Sequence, residues 1–156
     1  MKPARIKTVA IGVFRKDDCI FVAEGYDPAK GETFYRPLGG TIEFGERGQE
    51  ALVRELREEI KVEATNLRYL GTIENIFTFN GQPAHEIVLV YEGDFADEAI
   101  YRKAMVFGYE AGGGAVKAVW KSLGDFGVHT PASVPLYPDG LIDLLKRSAN
   151  DRTHRR

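Results

Sequence analysis

The chain has 156 residues, with 21 Lys and Arg against 23 Asp and Glu and a formal net charge of −2. This length suits a single domain, and a hydrophobic content of 44% is enough for a packed core. The charge balance argues against a domain that binds duplex nucleic acid through bulk positive charge. The single cysteine, Cys19, excludes an internal disulfide and a cysteine-rich zinc module.

The chain begins with two segments rich in β-branched and aromatic residues, 5–14 and 19–24, which predict two strands joined by a polar turn. No apolar run approaches the roughly 18–20 residues that span a bilayer, so no membrane partner is expected. The apolar stretch 9–14 runs directly into charged residues without a small-residue cleavage site. We therefore interpret it as a strand and not as a signal peptide, and expect a cytoplasmic protein.

Further along the chain, residues 46–60 form the clearest predicted helix, because Ala, Leu, Arg and Glu dominate and proline is absent. Strands are predicted at 67–79, 85–91 and 115–120, and a short helix at 141–147. We expect one domain over residues 1–148 and a flexible basic tail over 149–156. Because strands and helices do not alternate regularly, the order favours an α/β sandwich with a mixed sheet over a doubly wound parallel sheet.

Three carboxylates share one face of the predicted helix, since Glu55, Glu58 and Glu59 are spaced at i, i+3 and i+4. Like charges at this spacing destabilise a helix, so one interpretation is a solvated face neutralised by Arg54 and Arg57. A glycine-containing loop precedes the helix, however, and hard cations such as Mg²⁺ use carboxylate and carbonyl oxygens to bridge to phosphate. The pattern therefore also predicts a metal site.

The segment from Gly40 to Val62 resembles the Nudix box. In that pattern a glycine is followed after five residues by Glu, then after seven by Arg-Glu-aliphatic-any-Glu-Glu-any-Gly-aliphatic. Eight of the nine specified positions match: Gly40, Glu46, Arg54, Glu55, Leu56, Glu58, Glu59 and Val62. The exception is Lys61, which stands where the box has its last glycine.

The resemblance implies a Nudix-like α/β/α sandwich. It also implies Mg²⁺- or Mn²⁺-dependent hydrolysis of a nucleoside diphosphate linked to another group X. Glu55, Glu58 and Glu59 match the metal-binding glutamates of the box, and the carbonyl of Gly39 matches a position that often ligates the metal. Arg54 and Glu46 match a pair that braces the loop against the helix. The substrate would be a nucleotide derivative.

Some features are left open by the resemblance. Glu110 is the nearest acid upstream of Trp120 and a candidate additional base, unless the box helix itself supplies the base. Arg36 precedes the glycine loop and is a candidate for binding phosphate. If Lys61 keeps the left-handed backbone of the glycine it replaces, it costs roughly 1–2 kcal/mol.

Two alternatives also stay open. The chain could be a Nudix-fold module that binds or senses nucleotides without turnover, and a homodimer is one assembly that the sequence allows.

Overall fold

The computed structural model describes residues 3–126 and 133–154, with side chains up to residue 149. Within these ranges the chain forms two α-helices, α1 (Gly48–Ile60) and α2 (Leu141–His154), and two short 3-10 helices, Glu98–Arg102 and Leu123–Phe126. The strands are β1 (Ile6–Lys16), β2 (Cys19–Asp27), β3 (Glu32–Arg36), β4 (Leu38–Thr41), β5 (Ala64–Phe79), β6 (Gln82–Phe95), β7 (Met105–Tyr109) and β8 (Ala115–Ser122).

The strands form a mixed sheet in the order β5-β6-β1-β2-β8-β7, with β3 beside β2 and β4 beside β1. β1 and β6 run parallel, from the pair Ile6 and His85 to the pair Phe14 and Gly93. The other strand pairs are antiparallel. The predicted α/β sandwich with a mixed sheet is confirmed.

The strand β1 changes partner along one of its edges. Residues Val9 to Gly12 pair with β4, whereas Arg15 and Lys16 pair with β2. The opposite edge of β1 pairs with β6 from Ile6 to Phe14. Two separate groups of strands therefore share β1 as their common member.

One hydrophobic cluster lies on each face of the sheet. Leu52 and Leu56 of α1 are fully buried against Phe14 and Phe21. The spacing of four residues places these leucines on one side of the helix, as the sequence pattern predicts. On the other face, Leu141 and Leu145 of α2 pack in a cluster with the inward-facing valines of β6, Val88 and Val90.

The ends of several elements differ from the predicted ones. β7 was not predicted, although Val106, Phe107 and Tyr109 are residue types that are common in strands. The helix α2 continues to His154 and so includes residues 149–154, where the sequence predicts a flexible tail. Backbone hydrogen bonding can extend a helix without further apolar residues. Neither α-helix in the described ranges is long and apolar enough to cross a membrane.

Candidate active site

The carboxylate of Glu55 lies directly against the glycine loop. Gly40 belongs to β4 and pairs with Ala10 of β1. A Cβ atom placed on Gly40 would lie 2.3 Å from Cδ of Glu55, so only glycine allows this approach. The Glu55 side chain is 15% exposed as a result. The first glycine of the predicted box thus has a steric reason: it makes room for the first of the three glutamates.

Arg54 connects the helix α1 to the loop that precedes it. Its Nε atom donates to Oε2 of Glu46 at 2.7 Å, and Nη2 donates to Oε1 at 3.0 Å. Nη2 also donates to the carbonyl of Thr41 at 3.0 Å, which ties the helix to the end of β4. Hydrogen bonds from Arg54 and from the backbone N–H of Glu43 lower the pKa of Glu46 to about 2. Both partners are therefore fully charged near neutral pH.

The same guanidinium also contacts two of the three helix glutamates. Nη1 donates to Oε1 of Glu55 at 3.0 Å and to Oε2 of Glu58 at 3.3 Å. The Glu58 side chain is 52% exposed and does not line the cleft described below. Arg54 therefore holds Glu55 and Glu58 in the arrangement that the structure records.

Glu59 lies close to three other acidic side chains, those of Glu55, Glu58 and Glu110. Burial, a hydrogen bond with Glu55, and the charges of Glu55, Glu110 and Glu58 together raise the pKa of Glu59 to about 8. Glu59 consequently holds a proton at neutral pH in the metal-free protein. A bound cation would relieve this repulsion, because it would favour the ionised form.

The hairpin of β7 and β8 brings Glu110 to the same place. Gly108 of β7 packs so closely on the end of α1 that a Cβ atom there would lie 1.8 Å from the carbonyl oxygen of Glu59. Glu110 follows at the tip of the hairpin, where its N–H donates to the carbonyl of Gly114 at 2.7 Å. The candidate base is thus held near Glu59 by a close backbone contact that only glycine permits.

A cleft of about 190 Å³ lies between the glycine loop, Glu59 and Glu110. Its lining includes five positions predicted from the sequence: Arg36, Gly39, Gly40, Glu59 and Glu110. It also includes Lys7 and Glu86, which sequence reasoning missed. Nη2 of Arg36 lies 3.6 Å from Oε1 of Glu86. The signal that could have found Glu86 is a lone acid among the apolar residues of the strand 85–91.

The glutamates do not form a ready-made metal cage. Among the residues described, no three carboxylate, thiol or imidazole side chains converge as ligands of one ion. Glu55 and Glu59 are adjacent, whereas Arg54 holds Glu58 to one side. The donor set is nevertheless the oxygen-rich, anionic one that Mg²⁺ and Mn²⁺ prefer. The residues fit such an ion if Arg54 gives up its contacts with Glu55 and Glu58.

Lys61 keeps the left-handed backbone that a box glycine would adopt. Its φ is 58° and its ψ is 40°, and its N–H donates to the carbonyl of Arg57. Its Nζ atom donates to the carbonyl of Glu58 at 3.2 Å, at the negative end of the helix dipole. Lys61 thus adopts the left-handed turn after α1, and we expect it to affect stability.

The fold is a mixed sheet between two helices, as the resemblance predicts. One of these helices carries the three glutamates and is joined by Arg54 to the glycine loop. The model of the NUDIX domain matches residues 4–138. The chain therefore belongs to the Nudix hydrolase family, and the predicted family is confirmed.

A curated protein matches the chain in sequence over a short segment. The NAD-capped RNA hydrolase NudC of Pseudomonas putida (strain W619) is 50% identical over 38 residues, which cover 24% of this chain and 14% of that protein. The chain therefore spans only a small part of the curated relatives that it matches.

Two solved structures share the fold. The MutT NUDIX hydrolase from Burkholderia pseudomallei has a TM-score of 0.64 at 20% identity, over 90% of this chain and 97% of that one. The NUDIX hydrolase from Nitrosomonas europaea has a TM-score of 0.65 at 17% identity, over 94% and 90% of the two chains.

Proposed function

We propose that the chain is a pyrophosphohydrolase that uses Mg²⁺ or Mn²⁺ to hydrolyse a nucleoside diphosphate linked to another group X. The observation that carries this proposal is that Glu55, Glu59 and Glu110 lie close together, where burial of Glu59 and the neighbouring carboxylates raise its pKa to about 8. Packing carboxylates together is unfavourable unless a cation or a reaction uses them. Their position beside a glycine loop and the Arg36 guanidinium suits a diphosphate group.

Glu55, Glu58 and Glu59 would hold the metal ion, with the carbonyl of Gly39 as a further oxygen ligand. When bound, the ion would neutralise charge on the phosphate oxygens and lower the pKa of a water molecule. Arg36 would contribute a guanidinium to the diphosphate. Arg54 and Glu46 would position the helix and the loop and would not contact the substrate.

In the reaction, the oxygen of water attacks one phosphorus of the diphosphate and the phosphoanhydride P–O bond breaks. The products are two phosphate monoesters when both ends of the diphosphate are esterified. The proton of the water goes to a carboxylate, for which Glu110 and Glu59 are the candidates within the cleft. Glu110 has the advantage of lying on a separate hairpin, so it can serve as base while the helix glutamates hold the ion.

The nature of X is not specified by the cleft. The partial match to an NAD-capped RNA hydrolase makes dinucleotide diphosphates a reasonable first group to test. Nucleoside triphosphates, nucleotide sugars and dinucleoside polyphosphates belong in the same panel. A cytoplasmic location and the absence of a duplex nucleic-acid partner remain predictions from the sequence.

The test is product release from this panel with Mg²⁺ or Mn²⁺, coupled to a phosphatase and a pyrophosphatase so that either product is detected. Glu59→Gln is the inactive reference. Glu50→Gln is the matched control, because Glu50 lies in the first turn of the same helix, where its side chain accepts a hydrogen bond from the backbone N–H of Arg47. We expect turnover that Glu59→Gln lowers by orders of magnitude and Glu50→Gln preserves.

The alternative is a Nudix-fold module that binds nucleotides without turnover. It predicts no product in any metal, together with saturable nucleotide binding. In both cases Mg²⁺ should raise the melting temperature, because a ligand of the native state stabilises it. The absence of any Mg²⁺ effect at matched ionic strength would contradict both readings and would favour a merely solvated glutamate face.

A further inference from the structure

Glu86 is a buried carboxylate that the proposed chemistry does not use. It lies on β6, on the same face as Val88 and Val90, and it is only 9% exposed. Its Oε1 atom is buried and accepts no hydrogen bond from the residues that the structure describes. An unpartnered buried acceptor is unfavourable, so such an atom calls for an explanation.

Positive charge lies close to Glu86, but no residue that the structure describes donates a hydrogen bond to its Oε1 atom. Arg36 places Nη2 3.6 Å from Oε1, which is an ion pair but too long for a hydrogen bond. Asn75 of β5 and Lys7 of β1 flank Glu86 in register on either side. The nearby guanidinium disfavours a metal ion at Oε1, because it would repel the cation. The vacant lone pairs suit a hydrogen-bond donor instead.

The position of Glu86 separates it from the metal-binding glutamates. Val88 and Val90, its neighbours on the same face of β6, pack in the cluster with α2, whereas the leucines of α1 pack on the other face of the sheet. Yet Glu86 and Glu59 line the same cleft. Arg36 pairs with Glu86, so a ligand whose diphosphate contacts Arg36, Glu59 and Glu110 would present the part next to its diphosphate to Glu86.

We infer that Oε1 of Glu86 accepts a hydrogen bond from an N–H or O–H group of the nucleoside part of the substrate and thereby selects among nucleotides. The nature of this ligand rests on the proposed function. Two groups share the required chemistry: an N–H of the base, such as an exocyclic amine, and a hydroxyl of the ribose. A base or sugar that lacks the donor would leave Oε1 buried and unpaired, which makes the discrimination large.

The experiment measures the affinity of the whole protein for pairs of nucleoside diphosphates that differ by one donor. The pairs are GDP and IDP, ADP and purine riboside diphosphate, and GDP and 2′-deoxy-GDP. Binding is measured by calorimetry over times short enough that any hydrolysis is negligible. We expect the wild-type protein to prefer the member with the donor in at least one pair, by about tenfold or more.

In Glu86→Gln the preference should fall to within about twofold, because the amide offers a weaker acceptor and a competing donor. Glu74→Gln is the matched control, since Glu74 lies on the neighbouring strand with an exposed side chain, and it should retain the wild-type preference. If Glu86→Gln does not fold, Glu86→Asp keeps the charge beside Arg36 but withdraws the oxygen, and the same loss is expected. A change in the first two pairs identifies the base as the donor, and a change in the third identifies the ribose.

Two results would overturn the inference: equal affinity for both members of every pair in the wild-type protein, or an unchanged preference in a folded Glu86 variant. These results are separate from the proposed function. If Glu86→Gln loses the preference for the nucleotide with the donor, and the wild-type protein hydrolyses nothing, this inference is supported and the proposed hydrolase activity is contradicted. If the wild-type protein hydrolyses its substrate and Glu86→Gln keeps the wild-type preference, the hydrolase activity is supported and this inference is contradicted.

Discussion

Arg54 and Glu46 are joined by two hydrogen bonds, of 2.7 Å and 3.0 Å, that connect α1 to the loop before it. This fork-to-fork geometry is specific to a guanidinium and a carboxylate. The remaining nitrogen, Nη1, is thereby aimed at Glu55 and Glu58. The pair sets the position of the glutamates and is more than a surface contact.

Arg54→Lys should lower kcat by about 10- to 100-fold, which is the usual effect of removing a group that orients metal ligands. Lysine keeps the positive charge but cannot reproduce the fork. Steady-state kinetics on the substrate found in the panel would measure the effect. The control is Arg57→Lys, because Arg57 lies on the same helix and pairs with the exposed Glu63. Equal kcat values for the two variants would contradict the positioning role of Arg54.

Gly40→Ala should lower kcat by about 100-fold. The new methyl group would lie 2.3 Å from Cδ of Glu55 and would therefore displace this carboxylate. Gly112→Ala provides the comparison, since a Cβ atom at Gly112 meets nothing within 4 Å. Kinetics and circular dichroism of both variants would separate a local displacement from unfolding. A fully active Gly40→Ala protein would show that Glu55 does not need its place against the loop.

Lys61→Gly should stabilise the protein by about 1 kcal/mol, because it relieves the strain of a lysine in the left-handed conformation. For a chain of this size the melting temperature should rise by about 2–4 °C. Lys103→Gly is the matched control. Lys103 also follows a helical segment, but its φ of −84° is ordinary for lysine, so glycine there should destabilise. A lower melting temperature for Lys61→Gly would mean that the contact of Nζ with the Glu58 carbonyl outweighs the strain.

Glu59→Gln should change the pH dependence of stability in the metal-free protein. Because the folded-state pKa of Glu59 is raised to about 8, the native state holds a proton that the unfolded state releases near pH 4.5. The free energy of unfolding of the wild type should therefore decrease as the pH rises from about 5 to 8. The variant lacks this decrease, so its stability relative to the wild type should increase over the same range.

Urea unfolding in EDTA at one-unit steps from pH 5 to 9 would measure this difference. Glu50→Gln should follow the wild type throughout, since Glu50 lies outside the crowded group of carboxylates. Parallel curves for the wild type and Glu59→Gln would show that Glu59 is ionised in the free protein.

The parts of the site that sequence reasoning predicted are those set by local spacing. Helical periodicity places Glu55 and Glu59 on one face, and the box spacing places Gly40 in reach of them. Glu110 was found as a candidate only through its distance from Trp120. Its approach to Glu59 depends on the packing of Gly108 against the helix, which no local pattern reveals. For Glu86 the local signal was only a lone acid in an apolar strand, and its pairing with Arg36, 50 residues away in the chain, could not be predicted.

The change of partner along β1 has a consequence for how a ligand enters the cleft. β4 and β2, which contribute to the cleft's lining, are both hydrogen-bonded to this one strand. β4 and β2 cannot move apart as two rigid bodies without breaking their hydrogen bonds to β1. The opening is therefore part of the resting fold. A metal ion at the helix glutamates would then be accommodated by side-chain movement, through the release of Glu55 and Glu58 by Arg54.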